Sequence, residues 1–292
     1  MKTNLSWPAG ISSSSPESTG PRLLVGAHSV LAAQLVATAG FDGAWVSSYE
    51  LSMLNGHADA NLLQPDQVLD VARRIKFEVS IPVFADCDTG YGHPRTVAYI
   101  TRQFGAGQVD GVAFEDSAFP KSSSLYAQKK VLSEAGVFAE CVYAASQSKV
   151  SGRPLVIART EAFVAGLGLD EAMRRASLYA EAGADLIFVH SISRNADEVA
   201  AFAHEWRAKG RKTPLVAVPT TYSQVSAEKL YVAGFSIVIY ANYLIRAYVS
   251  AARKVLAKLK QTGRGEDTNS MIATLTDMNC LVGLTSSGAV VE

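Results

Sequence analysis

Eight short apolar runs alternate with helical patterns along the chain, and this alternation limits the fold more than any other feature. The runs occupy residues 23–25, 43–46, 81–85, 111–114, 155–158, 186–189, 215–218 and 237–240. Short, nearly continuous apolar runs are typical of parallel strands that are covered on both faces. Eight βα units close a barrel, so we predict an α/β protein with the (β/α)8 TIM-type barrel fold. An open doubly wound sheet is the alternative that the same alternation allows.

The segments between these runs have the periodicity of helices. They cover residues 30–39, 66–75, 94–104, 135–148, 169–182, 196–208 and 226–232, and a long pattern at 243–260 follows the last run. We therefore predict a catalytic barrel over residues 23–260. Residues 1–22 are rich in Ser and Pro, which is typical of a flexible arm. We expect the extension at residues 261–292 to pack on a neighbouring subunit.

The composition of the 292-residue chain excludes several classes of partner. Lys and Arg total 27 and Asp and Glu total 27, so no excess charge favours nucleic acid or an anionic membrane. No apolar run approaches the roughly 20 residues that cross a bilayer. Cys87, Cys141 and Cys280 have no metal-type spacing and are too few for a disulfide framework. We expect a cytoplasmic protein that acts on a small molecule.

Carboxylates follow the third and fourth apolar runs. Asp86 and Asp88 are two residues apart, so their side chains point the same way on extended backbone. Glu115 follows the fourth run, and Asp59 lies in the loop after the second. Carboxylate oxygens are ligands of Mg2+, which also keeps several waters. We predict that these four residues hold Mg2+ directly or through water. The alternatives are a helix-capping aspartate and a turn aspartate at 86 and 88, and a surface-loop acid at 59.

Other polar residues follow the remaining runs, where the active site of a barrel lies. They are His28, Ser47, Ser48, Asp116, Arg159, Glu161, His190, Thr220, Thr221 and Asn242. Arg159 is a planar cation suited to phosphonate or carboxylate oxygens, and His190 is a second donor to the same group. Backbone N–H groups near residues 47–49 are candidates to bind an enolate oxygen. We expect His28 to be a hydrogen-bonded core histidine.

The loop at residues 115–125, EDSAFPKSSSL, is long and polar and starts at a strand end. Such a loop is typical of an active-site lid. We predict that Lys121, beside three serines, closes over an anionic substrate. A solvated turn with a surface lysine is the alternative.

These residues together resemble the phosphoenolpyruvate mutase/isocitrate lyase superfamily, in its phosphoenolpyruvate mutase and phosphonopyruvate hydrolase branch. The resemblance covers residues 23–259. It rests on GAHSVLAAQLVATAGFDGAWVS, ADCDTGYG, EDSAFPKSSSL, VIARTEAFVAGLGLDEAMRRA, AGADLIFVHS and VPTTY. It implies a barrel whose last helix is swapped between subunits of a homodimer or homotetramer, and Mg2+-dependent chemistry on a 2-oxo acid or phosphonate.

The resemblance also implies residue roles. Asp86 would bind the metal directly, with Asp59, Asp88 and Glu115 contacting it through water. The predicted catalytic residues are Lys121, Ser123, Arg159 and His190. The predicted substrate-binding residues are Trp45, Ser47, Ser48, Tyr49, Ser124, Leu125 and Thr220.

Three serines depart from the family pattern. Ser117 stands where the family's mutases and hydrolases usually have a Lys after Glu-Asp, and Ser48 replaces the Gly of a Ser-Gly pair. Ser123 stands where mutases have Asn and hydrolases have Thr. The lyase branch's lid cysteine is absent. We predict interconversion of phosphoenolpyruvate and 3-phosphonopyruvate. The alternatives are hydrolysis of phosphonopyruvate, a C–C lyase or decarboxylase acting on a 2-oxo acid, and a catalytically weakened homologue that binds an oxo acid.

Overall fold

The protein's structure, a computed structural model that describes residues 20–121 and 130–283, contains a closed barrel of eight parallel strands. The strands are β1 (Arg22–Gly26), β2 (Gly43–Val46), β3 (Val83–Asp86), β4 (Gly111–Glu115), β5 (Leu155–Thr160), β6 (Leu186–Val189), β7 (Leu215–Ala217) and β8 (Phe235–Tyr240). Each strand pairs with the next in chain order, and β8 pairs with β1. The predicted (β/α)8 fold is confirmed, and the open sheet is excluded.

Helices follow the strands along the chain. They are α1 (Val30–Thr38), α2 (Ser48–Leu54), α3 (Pro65–Glu78), α4 (Pro94–Ala106), α5 (Ala135–Ser146), α6 (Gly168–Glu181), α7 (Asp197–Ala208) and α8 (Ala227–Ala233). Helix α2 was not predicted, because Ser47 and Ser48, its N-cap and first residue, were interpreted as the end of the second strand. Strand β3 begins two residues later than expected, since Pro82 has no N–H for the ladder and only its carbonyl takes part, accepting from Ala44.

The interior of the barrel is filled by alternate residues of each strand. Trp45, Phe84, Ile157 and Phe188 belong to one buried apolar cluster that draws on all eight strands or their ends. Gly111 allows this packing, because a Cβ at that position would clash with the ring of Phe84. Because alternate residues of a strand face the interior, the next inward residue of each strand lies directly above this cluster, at the carboxyl end of the strand.

The chain divides into two compact units, residues 1–242 and residues 243–292. The described part of the second unit contains α9 (Tyr243–Thr262), a 3-10 helix (Gly265–Met271) and α10 (Leu275–Leu281). Thr274 and Asp277 cap α10 reciprocally through side chain and backbone. Most of the predicted arm lies outside the described residues, and the predicted domain boundaries remain predictions. Within residues 20–121 and 130–283, no helix has the length and apolar character needed to span a membrane.

Candidate active site

Polar residues occupy the inward positions directly above the apolar core. On β5, Ile157 faces the core, and the next inward residue is Arg159. The same step leads from Phe188 to His190 on the sixth strand. In the sheet register, Glu115 pairs with Arg159. The carboxyl ends of the strands therefore bring predicted residues from different strands into one layer.

A cavity of about 90 Å3 lies above this layer. The predicted site residues that line it are Trp45, Ser47, Tyr49, Asp59, Glu115, Lys121, Arg159, His190 and Thr220. A single water needs ~10–15 Å3, so the cavity has room for a small ligand. Trp45 and Phe188 contribute apolar walls and meet edge to face, with ring centroids 6.3 Å apart.

An aspartate cluster surrounds Lys121 on one side of the cavity. The ammonium of Lys121 contacts Asp88 and lies 2.7 Å from Oδ1 of Asp59. Oγ of Ser48 donates to Oδ2 of Asp86 at 3.2 Å, and the backbone N–H of Asp88 donates to Oδ1 of Asp86 at 3.2 Å. Nζ of Lys121 is 3.4 Å from Oγ of Ser48. The residues at 48, 59, 86, 88 and 121 therefore form one contiguous polar group.

Burial and mutual repulsion shift the pKa values in this aspartate cluster. Burial and the neighbouring Asp88 raise the pKa of Asp86 to about 7, against the opposing effect of Lys121. Burial also raises the pKa of Asp59, which Lys121 opposes. Burial acts to lower the pKa of Lys121, but Asp88, Glu115 and Asp59 outweigh it and hold that pKa above its usual value. Carboxylates outnumber cations here, so the cluster favours an added cation.

The donors of the aspartate cluster fit a hard divalent cation that keeps much of its hydration. Oδ1 of Asp59 is buried, and its contact among the described residues is the ion pair with Lys121. No three His, Cys, Asp or Glu side chains in the described part of the chain converge closely enough to ligate one ion directly. Mg2+ is commonly bound by one or two carboxylates and several waters. This arrangement is compatible with the prediction that Asp86 binds directly and the other acids through water.

Arg159 and His190 share a buried carboxylate, Glu161. Nε of Arg159 donates to Oε1 of Glu161 at 2.5 Å, and Nδ1 of His190 lies 2.7 Å from the same oxygen. Because a carboxylate only accepts, Nδ1 carries the proton, and its 2.9 Å contact with Nη2 of Arg159 is not a hydrogen bond. Nε2 is the ring nitrogen that Glu161 does not contact. Burial acts to raise the pKa of Glu161, but Arg159 and His190 outweigh it and hold that pKa well below its usual range.

Glu115 stands between the aspartate cluster and the Arg159–His190 pair. Its Oε2 lies 3.4 Å from Nη2 of Arg159, and its Oε1 accepts from Oγ of Ser117 at 2.5 Å. Nζ of Lys130 is 3.3 Å from the same Oε1. Burial acts to raise the pKa of Glu115, but Arg159 and Lys130 contribute to holding it below its usual value. Glu115 is therefore a buried anion with cations on two sides.

Another buried carboxylate, Asp116, supports the end of β5 through hydrogen bonds. Its Oδ1 accepts the backbone N–H of Glu161 at 2.8 Å, and its Oδ2 accepts Oγ1 of Thr160 at 3.1 Å. Arg175 and Tyr179 of α6 reach the same Oδ2 at 3.1 Å and 2.8 Å. This network fixes the backbone that carries Arg159 and Glu161.

Comparison with known proteins agrees with this geometry. A family profile described as Phosphoenolpyruvate phosphomutase matches residues 16–260. The chain belongs to the phosphoenolpyruvate phosphomutase family. The phosphonopyruvate hydrolase of Variovorax sp. (strain Pal2) is 39% identical over 259 residues, 88% of each chain. The phosphoenolpyruvate phosphomutase structure from Streptomyces platensis subsp. rosaceus has a TM-score of 0.87 and 38% identity over 90% of both chains. A phosphonopyruvate hydrolase solved with oxalate and Mg2+ has a TM-score of 0.83 and 37% identity over 89% of both.

The chain is thus an enzyme of the phosphoenolpyruvate mutase/isocitrate lyase superfamily, and the resemblance predicted from its motifs is confirmed. Its identity to the hydrolase of Variovorax sp. and to the mutase of known structure is nearly equal. The comparisons therefore establish the branch, within which both reactions occur.

The structure brings twelve of the predicted site residues together, because Ser48, Asp86 and Asp88 adjoin the nine that line the cavity. Ser123, Ser124 and Leu125 lie outside the described residues. His28 is hydrogen-bonded to the buried Glu50 at 3.3 Å, as expected, but it is half-buried and not part of the core. The roles of the site residues remain predictions.

Three residues near the site were not assigned a role from the sequence. Glu161 follows Arg159 by two positions, and this spacing is a usable signal because alternate residues share a side. Asn61 accepts the backbone N–H of Lys121 at 2.7 Å and donates to Asp88 at 3.1 Å. Neither Asn61 nor Lys130 has a local pattern that indicates its position, since each is brought there by a loop.

Proposed function

We propose that this enzyme makes or breaks the carbon–phosphorus bond at C3 of a pyruvate unit, interconverting phosphoenolpyruvate and 3-phosphonopyruvate. The observation that carries the proposal is one cavity with an aspartate cluster on one side and the Arg159–His190 pair on the other, joined by Glu115. A substrate with an enolisable oxo acid at one end and a phosphonate at the other matches both sides. Membership of the family supports this substrate class.

The two sides of the cavity would bind the two ends of phosphonopyruvate. Mg2+ held by the aspartate cluster would supply positive charge for the oxygens of the pyruvate unit. Arg159 presents a planar cation to the phosphonate oxygens, and Lys121 adds an ammonium at the cavity wall. Trp45 and Phe188 exclude water from one side of the bound molecule. Charge that develops on the transferring group is then met by side chains already in place.

The reaction that this arrangement supports conserves atoms and charge. When the C–P bond breaks, its electron pair stays on C3 of the pyruvate unit and is delocalised as the enolate. The phosphoryl group passes to the enolate oxygen, which yields phosphoenolpyruvate. Arg159 holds the phosphoryl oxygens during this transfer, because its charge does not depend on pH in the working range.

Hydrolysis of phosphonopyruvate is the second candidate. The observation that favours it is the 39% identity to the phosphonopyruvate hydrolase of Variovorax sp.. In this reaction water attacks the phosphoryl group instead of the enolate oxygen. The products are inorganic phosphate and pyruvate, after the enolate is protonated at C3.

Phosphorus NMR of wild-type enzyme with phosphonopyruvate and Mg2+ tests both reactions. A phosphoenolpyruvate signal supports the mutase, whereas an inorganic phosphate signal supports the hydrolase. Asp86→Ala is expected to abolish the metal-dependent turnover, and Lys209→Ala, in an exposed pair with Glu205, serves as the control. An unchanged phosphonopyruvate signal with wild-type enzyme contradicts the proposal and favours a C–C lyase, a decarboxylase or an oxo-acid-binding homologue.

A further inference from the structure

Lys130 is a buried cation beside the site, at the return end of the loop (residues 130–134, which lead into α5). Its side chain is 1% exposed, and its Nζ lies 3.3 Å from Oε1 of Glu115 and 3.8 Å from Oε2 of Glu161. Both carboxylates are almost fully buried as well. A lysine is rarely buried to this extent unless its charge is paired. The burial of Lys130 is therefore explained by its pairing with these two carboxylates.

Glu115 and Glu161 both contact Arg159. Nε of Arg159 donates to Glu161, and its Nη2 lies 3.4 Å from Glu115. Two buried carboxylates beside a single guanidinium leave an excess negative charge, which is costly at low dielectric. Lys130 offsets this charge from the opposite side. The guanidinium of Arg159 is thereby not neutralised completely by its own neighbours.

The loop geometry brings Lys130 next to Ser117. The backbone N–H of Ala118 donates to the carbonyl of Val131 at 2.9 Å, and Ser117 and Leu132 form an antiparallel bridge. The two ends of the loop therefore run side by side. As a result, Oγ of Ser117 and Nζ of Lys130 both reach Oε1 of Glu115. Ser117 carries no charge, so Lys130 is the cation of this pair.

We propose that Lys130 is a positioning residue that supplies, from the return end of the loop, the positive charge absent at Ser117. Its charge compensates the carboxylates of Glu115 and Glu161. These carboxylates can then orient Arg159, and Glu161 can orient the ring of His190, without cancelling the positive charge that an anionic substrate needs. This inference rests on the proposed function for the identity of the substrate. It assigns Lys130 no contact with the reacting atoms.

A charge-relocation experiment tests the proposal. Lys130→Met is expected to lower kcat/KM for phosphonopyruvate by about 10- to 100-fold, mainly by raising KM, as is typical when a supporting contact is lost. Lys130→Arg should recover most of the activity. Ser117→Lys combined with Lys130→Met should also recover it, because the ammonium then reaches Glu115 from the other side of the loop.

Lys149→Met is the matched control. Lys149 is also partly buried and pairs with a carboxylate, Asp185, at 2.6 Å, but neither lies in the cavity lining. Its kinetic constants should stay within about twofold of wild type. The proposal is wrong if Lys130→Met keeps the wild-type kcat/KM. It is also wrong if Lys130→Arg recovers kcat/KM but Ser117→Lys/Lys130→Met does not.

Calorimetric binding of phosphonoacetate in the presence of Mg2+ separates this proposal from the proposed reaction. Phosphonoacetate has a carboxylate and a phosphonate but no oxo group, so it cannot form the enolate and its binding needs no turnover. Lys130→Met should weaken phosphonoacetate binding by about tenfold or more, with recovery in Ser117→Lys/Lys130→Met. This result would support the proposal even if phosphonopyruvate is not turned over. Equal phosphonoacetate binding by wild type and Lys130→Met would overturn it. Should Lys130→Met not fold, the double variant decides: binding close to wild type supports the proposal, and a loss of binding overturns it.

Discussion

At the scale of the residue, Lys121 provides the positive charge of the aspartate cluster that can attract an anionic ligand. The side chain is 5% exposed, contacts Asp59 and Asp88, and lines the cavity. Its backbone N–H is fixed separately by Asn61. The ammonium and the backbone thus have different partners, so removing the charge leaves the backbone contact in place.

Lys121→Ala is expected to reduce turnover far more than it reduces stability. With Mg2+ present, kcat should fall by about 100-fold, because one preorganised donor to the anionic substrate is lost. The metal would compensate Asp59 and Asp88, so the thermal midpoint should change little. Steady-state kinetics and thermal unfolding, both in Mg2+, measure the two effects, with Lys209→Ala as the exposed-lysine control. A large loss of stability that accounts for the lost activity would show that Lys121 is structural.

At the scale of the element, helix α6 supports the catalytic end of β5. Nη1 of Arg175 donates to Asp116 at 3.1 Å and to the carbonyl of Ser133 at 3.0 Å. Asp116 in turn accepts from the hydroxyl of Thr160, the last residue of β5, and from the backbone N–H of Glu161, the residue after it. One helix therefore ties together the strand end and the return end of the loop.

Arg175→Met should destabilise the protein by about 3–5 kcal/mol, because it leaves Asp116 buried without its cation. The adjacent Arg174 is a matched control, since it also pairs with Glu171 but its side chain is 53% exposed. Arg174→Met should cost less than about 1 kcal/mol. Urea denaturation followed by far-UV circular dichroism gives both values. Equal costs for the two variants would contradict the role given to α6.

At the scale of the whole molecule, the acids at the mouth of the barrel connect stability to metal and pH. The pKa of Asp86 is raised to about 7 by burial and by Asp88. The folded state therefore holds this proton more tightly than the unfolded chain does. The stability that this group contributes is present below pH ~4 and is lost as the pH rises towards 7.

Mg2+ should recover this loss by compensating the ionised carboxylate. The rise in the thermal midpoint on adding Mg2+ is expected to be larger at pH 8 than at pH 6, and chelation should reverse it. At a concentration 100 times the dissociation constant, the gain is about 2.7 kcal/mol. Comparing samples with and without metal at each pH cancels groups that Mg2+ does not affect. Asp86→Asn should show no metal-dependent rise, and an undiminished rise in that variant would exclude Asp86 as a ligand.

The alternation of apolar runs and helical patterns was sufficient to predict the barrel. Strand burial and helix periodicity are local properties, and eight parallel units have few ways to bury their faces. The same reasoning predicted much of the site. Asp86, Glu115, Arg159 and His190 end strands whose carboxyl ends must share one side of the barrel. Their proximity follows from topology without knowledge of any individual contact.

Only the tertiary structure decided how these residues are paired. Lys121 meets Asn61 across 60 positions of sequence, and Lys130 meets Glu115 through a loop with no periodic pattern. The path of such a loop depends on charge neutralisation and packing between distant segments, and no local periodicity encodes these. The sequence alone thus determined the barrel and placed its polar residues at the carboxyl ends of the strands. The folded chain determined which cation compensates which carboxylate, because that depends on distances in space.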